Sequence, residues 1–187
     1  MDASKYDIQP ANSFTDVDTN AWYAKAVTYL AENNVLSGYA DGTFRPNTPI
    51  TRAEMVQISS MFEGIDFSNS GVFTDVPTQH WASNSISSFQ GKGWIVGYDN
   101  STFRPEDYAS REEIVTIVNS VLDRSAMDYR LHEDLHSWTD LSSGRWSYNA
   151  VMEASHSHNC EHEHEQNKWI EIWTRILGTG IHAPFNQ

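Results

Sequence analysis

The sequence predicts a mainly α protein built from three helix-loop-helix repeats, the third of them degenerate. Two observations carry that prediction. The first is internal similarity: Phe14-Thr-Asp-Val17 returns as Phe73-Thr-Asp-Val76, an offset of 59. At the same offset Trp22 meets Trp81, Gly38-Tyr39 meets Gly97-Tyr98, and Thr43-Phe-Arg-Pro46 meets Thr102-Phe-Arg-Pro105. Arg52 and Glu54 likewise meet Arg111 and Glu113, giving 16 identities over the 49 positions 14–62 without a gap. A fixed period of this length marks a repeat architecture. The second observation is apolar spacing of helical period within each copy.

The elements follow in order. Trp22, Ala26, Val27 and Leu30 fall at helical spacing, so a first helix is expected from Trp22 to about Asn33, where Asn33-Asn34 ends it. Lys92-Gly93 is the matching stop in the second copy. Short apolar stubs follow (Val35-Leu36 and Trp94-Ile95-Val96), and Asp41-Gly42 signals a tight turn. A second helix is expected from Arg52 to Phe62, with Met55, Ile58, Ser59 and Phe62 on one face. A third copy opens at Trp138-Thr-Asp-Leu141, with Trp146 in the place of Trp22 and Trp81. Beyond about Ala154 it has no Gly-Tyr and no Thr-Phe-Arg-Pro. The expected division is an extension at 1–13, repeats at 14–63, 73–122 and 138–177, and a tail at 178–187. The linkers fall at Glu63–Val72 and Asp123–Ser137, the second part helical.

Composition removes several function classes. With 187 residues, 39% apolar and 12% aromatic, the chain can bury a core and is not of disordered type. No run approaches the ~18 consecutive apolar residues of a membrane span. A formal charge of −13 argues against nucleic acid and anionic lipid as partners, since phosphate binding needs a basic surface. One cysteine excludes an intramolecular disulfide framework. Met1–Asp7 carries no apolar signal region, so any export signal is expected outside these residues.

The candidate site residues come from the repeated positions. Thr51-Arg-Ala-Glu54 and Ser110-Arg-Glu-Glu113 read as capping boxes, which account for Thr51, Ser110 and both glutamates. They do not account for Arg52 and Arg111, because a cation in a helix's first turn opposes the macrodipole. A guanidinium beside first-turn amides is a receptor for a carboxylate or phosphate; a structural ion pair is the alternative. Trp22, Trp81 and Trp146 are core residues by their area, or else sugar platforms. Phe14, Phe44 and Phe103 are expected in the core. Gly38 and Gly97 allow unusual backbone angles or a ligand's close approach. Arg45 and Arg104 either brace the loop or line the site. Asp16, Asp75 and Asp140 are expected to cap the first helices.

Together, Phe-Thr-Asp-Val, Trp, Gly-Tyr-x-Asp-Gly-Thr-Phe-Arg-Pro and Ile-Thr-Arg-Ala-Glu resemble the S-layer homology module of bacterial surface proteins. The resemblance implies three repeats packed in pseudo-threefold fashion around a helical bundle, with grooves between them. It implies a non-catalytic module at the bacterial cell surface, without cofactor. It implies that the grooves bind secondary cell-wall polysaccharide, often pyruvylated, and so fasten a larger surface protein to the wall. Arg52 and Arg111 are the implied contacts to the acidic ketal. Trp22, Trp81, Gly38, Gly97, Tyr39, Tyr98, Asp41, Thr51 and Ser110 complete the expected ligand-binding set. The second copy departs with Ser110 for Thr, Glu112 for Ala and Asp-Asn-Ser for Asp-Gly; the third lacks the arginine motif.

One feature lies outside the resemblance. His156-Ser-His158-Asn-Cys160-Glu-His162-Glu-His164-Glu is rich in metal-ligating side chains, and His156, His158, His162 and His164 are the alternative metal set of an envelope metal-binding protein. Against it, the spacing matches no closed zinc pattern, and alternate residues share a face only on an extended segment. A solvated insertion is the other reading. Glycan hydrolysis is disfavoured, as no pair of carboxylates has a reason to differ in pKa.

Overall fold

A computed structural model describes residues 14–63, 73–124, 126–128, 138–165 and 168–179, of which 126–128, 157–165 and 168–179 are described by their backbone. The protein is mainly α. Its helices are α1 (Ala24–Glu32), α2 (Arg52–Glu63), α3 (Ser83–Gly91), α4 (Arg111–Val121) and α5 (Tyr148–Ser155). Three strands, β1 (Ala126–Asp128), β2 (His156–Glu165) and β3 (Lys168–Thr179), form a sheet of order β1-β3-β2. The sequence periods and the spatial units are offset from one another. One compact unit holds the described residues up to Phe89 with Gly97–Tyr108; the other holds Gln90–Val96 and the described residues from Ala109 onward.

In the first unit, Phe14, Val17, Ala24 and Val27 form a buried cluster against which Phe44 packs. The helix face differs from the expected one, since Ala26 and Trp22 are exposed while Ala24 and Thr28 are buried. Phe103 is buried as expected, whereas Phe44 is only half-buried. The aspartates of the Phe-Thr-Asp-Val motifs do not cap a helix. Asp16 accepts from the Phe44 and Arg45 amides, each at 2.7 Å, and Asp75 accepts from those of Phe103 and Arg104 at 2.8 and 2.7 Å. The Phe44 amide is the main reason the Asp16 pKa lies below its ordinary value. Helix α1 has Tyr23 at its N-cap position, with no side-chain cap bond. Each motif therefore pins its own Thr-Phe-Arg-Pro loop, and stacks a ring on it: Phe14 on Phe44 and Phe73 on Phe103, with centroids 5.5 and 5.4 Å apart.

Gly38 and Gly97 are both required by this packing. At Gly38 (φ +63°) a Cβ would collide with the Phe14 ring and the Thr43 carbonyl; at Gly97 it would meet Phe73 and the Thr102 carbonyl. Helix α3 is buried along most of its length by serines. Ser85 on α3 donates to Gln57 at 2.8 Å and lies 3.1 Å from Ser60, so polar side chains link α3 to α2.

In the second unit α4 and α5 pack together. Asn119 donates to the Ala150 carbonyl at 2.9 Å, and Arg124 pairs with buried Glu153 at 3.0 Å. Beyond Ser155, where the repeat pattern of the sequence stops, β2 and β3 run antiparallel, with β1 parallel to β3. The Lys168–Thr179 segment, Lys-Trp-Ile-Glu-Ile-Trp-Thr-Arg-Ile-Leu-Gly-Thr, is rich in β-branched and aromatic residues, which favour a strand. Within the second linker, expected to be part helical, residues 126–128 form strand β1, while 125 and 129–137, like 64–72, lie outside the described residues.

Candidate functional site

A groove of about 730 Å³ opens in the first unit between the post-α1 loop, the Gly38–Pro46 loop, α2 and Trp81. Its walls are apolar at Val35, Leu36, Phe44, Ile58 and Met61, and polar at Tyr39, Arg45, Glu54 and Gln57. Trp81 closes it from the second repeat. The three tryptophans are surface residues, 69% (Trp22), 58% (Trp81) and 63% (Trp146) exposed, against the core assignment their size suggests. Trp81 is further fixed by stacking on His80, with centroids 5.5 Å apart, and His80 Nδ1 accepts from the Ala82 amide at 3.2 Å.

The polar wall is one connected network. Arg45 (φ +59°) turns back over the Tyr39 ring, 4.0 Å from its centroid. Its Nη2 meets Asp41 at 2.8 Å, and its Nε donates to Thr43 Oγ1 at 3.1 Å. Thr43 in turn donates its hydroxyl to Asp41 at 2.6 Å. That hydroxyl, then Arg45, hold the Asp41 pKa down at about 2; Asp41 raises that of Arg45. Tyr39 Oη donates to Glu54 Oε1 at 2.8 Å, which pushes the phenol above its ordinary pKa. The loop arginine thus both braces the loop and lines the groove, two roles the sequence left undivided.

The two predicted arginines part company. Both capping boxes form: Glu54 accepts from the Thr51 amide at 2.8 Å and donates its own amide to Thr51 Oγ1 at 3.2 Å; Ser110 and Glu113 do the same. The next two amides of α2 are taken, however, Arg52 N by the Asp107 carbonyl at 2.9 Å and Ala53 N by the Pro105 carbonyl at 3.0 Å. Arg52 is only 8% exposed; its Nε donates to the Phe103 carbonyl at 2.8 Å, and its guanidinium lies 4.5 and 5.1 Å from the Phe103 and Tyr98 ring centroids. Burial lowers its pKa. Arg111 is exposed on the other unit. The groove therefore brings together Gly38, Tyr39 and Trp81 with Arg45, and not Arg52, Arg111, Trp22, Gly97 or Tyr98. Asp41 and Thr51 support it from behind through Arg45 and Glu54, while Ser110 belongs to α4.

Of the metal set, His156 is 5% exposed, with Nδ1 3.0 Å from the Met152 carbonyl and 3.1 Å from Ser155 Oγ. The backbone of β2 is extended, but the side chains of His158, Cys160, His162 and His164 lie outside the described residues. Among the described residues no three His, Cys, Asp or Glu side chains are grouped to hold an ion, and no helix is long and apolar enough to cross a membrane.

The S-layer homology domain profile matches residues 13–56 and 72–115. The chain is 36% identical over 148 residues to a cellulosome-anchoring protein of Acetivibrio thermocellus, 75% of this chain and 32% of that protein. It is 29% identical over 180 residues to cell surface glycoprotein 1 of the same organism, 89% of this chain and 8% of that one. An amylopullulanase of Thermoanaerobacterium thermosulfurigenes is 30% identical over 147 residues, covering 76% and 8%. The chain spans about a third or less of the length of these curated relatives.

Proposed function

The chain belongs to the S-layer homology family of non-catalytic modules that anchor proteins at the bacterial cell surface, and from that premise we propose that it binds an acidic, pyruvylated wall polysaccharide in the groove beside Trp81. The observation that carries this reading is the pairing of an exposed indole with Arg45 across one groove of about 730 Å³. An indole face covers the apolar face of a sugar ring. A guanidinium grips a carboxylate with two parallel hydrogen bonds, and Arg45 is already aimed by Asp41. The net charge of −13 does not forbid this, because the field of distant carboxylates is screened within ~8 Å at physiological salt. Arg52 is then a positioning residue that seats the second repeat's loop, and exposed Arg111 offers a second, weaker contact. The bound wall polymer tethers whatever larger surface protein carries the module.

Calorimetry with purified acidic wall polysaccharide tests this. Trp81→Ala and Arg45→Ala each weaken binding roughly 10- to 100-fold, and acid removal of the ketal weakens wild type without further weakening Arg45→Ala. Unchanged affinity in both variants, at unchanged melting temperature, overturns the reading.

A further inference from the structure

Glu54 serves two structures at once. One carboxylate oxygen accepts from the Thr51 amide and completes the α2 capping box; the other accepts the Tyr39 hydroxyl, each at 2.8 Å. A phenol has one proton and two acceptor lone pairs. With its proton committed to Glu54, the Tyr39 oxygen has only acceptor capacity left for a ligand in the groove. A ligand carboxylate there would meet an acceptor oxygen with a carboxylate directly behind it. A hydroxyl or amide N–H would complete the phenol's bonding.

Arg45 gives the opposite character on the other side of the same ring, where its guanidinium lies 4.0 Å from the centroid and carries only donors. The contrast with the second repeat is internal to the molecule. The Tyr98 ring has two guanidiniums near it, Arg104 at 3.9 Å and Arg52 at 5.1 Å, and among the described residues no carboxylate accepts its hydroxyl.

We infer that Tyr39 is a specificity-determining residue that reads a hydrogen-bond donor of the glycan, a hydroxyl or acetamido N–H, while Arg45 takes the carboxylate, so that the groove admits the sugar in one orientation. This rests on the glycan reading of the groove. A ligand carrying only anionic oxygens is then a poor fit: the groove needs the acid and a neighbouring donor on one sugar.

The test uses the full chain with a synthetic pyruvylated N-acetylhexosamine disaccharide, its mono-O-methyl ethers (one hydroxyl each) and its N-methyl acetamide, since methylation removes a donor and keeps the oxygen. Tyr39→Phe weakens binding of the parent roughly 3- to 10-fold, the range of one neutral hydrogen bond. One methylated analogue weakens wild type by the same factor and binds wild type and Tyr39→Phe alike, as a double-mutant cycle requires. If Tyr39→Phe loses the same factor on every analogue, Tyr39 only props the loop and the inference is overturned. It is also overturned if Tyr39→Phe binds the parent like wild type while Trp81→Ala does not, an outcome that leaves the groove reading standing. Wild-type affinity in Trp81→Ala fails the groove reading itself.

Discussion

Helices α2 and α4 begin with the same arginine and the same capping box, yet Arg52 is buried and Arg111 is exposed. The difference is supplied from outside either helix. Arg52 and the first amides of α2 are held by Phe103, Pro105 and Asp107, carbonyls of the next repeat's Thr-Phe-Arg-Pro loop and its continuation. The repeat after α4 has no Thr-Phe-Arg-Pro sequence. Instead, Glu112 occupies the position of Ala53 and pairs with Arg145 at 2.6 and 2.8 Å while accepting from Ser147 at 2.7 Å. Arg145 is the main reason the Glu112 pKa falls. An arginine of this motif is thus completed by the following repeat, and losing a loop in repeat three changes the environment of repeat two.

The largest test of that comparison is stability. Arg52→Ala removes a buried guanidinium, its bond to the Phe103 carbonyl and its ring contacts. It should cost about 2–4 kcal/mol, the range for breaking a buried charged hydrogen bond. Arg111→Ala, at an exposed position, should stay within about 0.5 kcal/mol. Thermal unfolding of the two variants checks this; equal melting temperatures would break the comparison.

How much of this was legible in the sequence follows from the same residues. Capping boxes are set by local chemistry, so Thr51, Ser110 and the starts of α2 and α4 could be read directly. Contacts between repeats could not. The pattern gave Arg52 and Arg111 one role because it repeats the residue and is silent on what covers it. It placed the tryptophans by area, but whether an indole is covered depends on a neighbour that local periodicity does not contain. The aspartates read as caps because a turn precedes a helix; the groups that donate to them are amides some 28 residues away. Arg45 offered a usable signal, an arginine four residues after Asp41, which is the spacing of their ion pair.

The next test is binding. Trp22 and Trp81 hold the same repeat position and are similarly exposed, but only Trp81 lines the groove and stacks on a histidine; Ala21 stands where His80 does. Trp81→Ala should weaken wall-polysaccharide binding roughly 10- to 100-fold, whereas Trp22→Ala should change it less than about twofold. Calorimetry on both variants decides, and equal losses would mean that exposure, not the groove, selects the ligand-binding indole.

The smallest effect comes from one of the residues that differ between the two loops, Asp41 in the first and Asn100 in the second. Asp41→Asn gives the first loop the second loop's residue, and its neutral amide cannot pair with Arg45. Thr43 and Arg45 hold the folded-state pKa of Asp41 at about 2, below the ordinary 3.8. A depressed carboxylate pKa contributes stability that is fully present above the unfolded value and is lost as pH falls through the folded one. Wild type should therefore exceed Asp41→Asn in stability at neutral pH by a small margin, since the pair is exposed and screened. That margin should shrink below about pH 4 and vanish near pH 2, while glycan affinity at neutral pH falls because Arg45 is no longer aimed. Denaturant unfolding of both proteins across pH 2–7 measures it, and a margin independent of pH would show that Asp41 acts through the turn rather than through its charge.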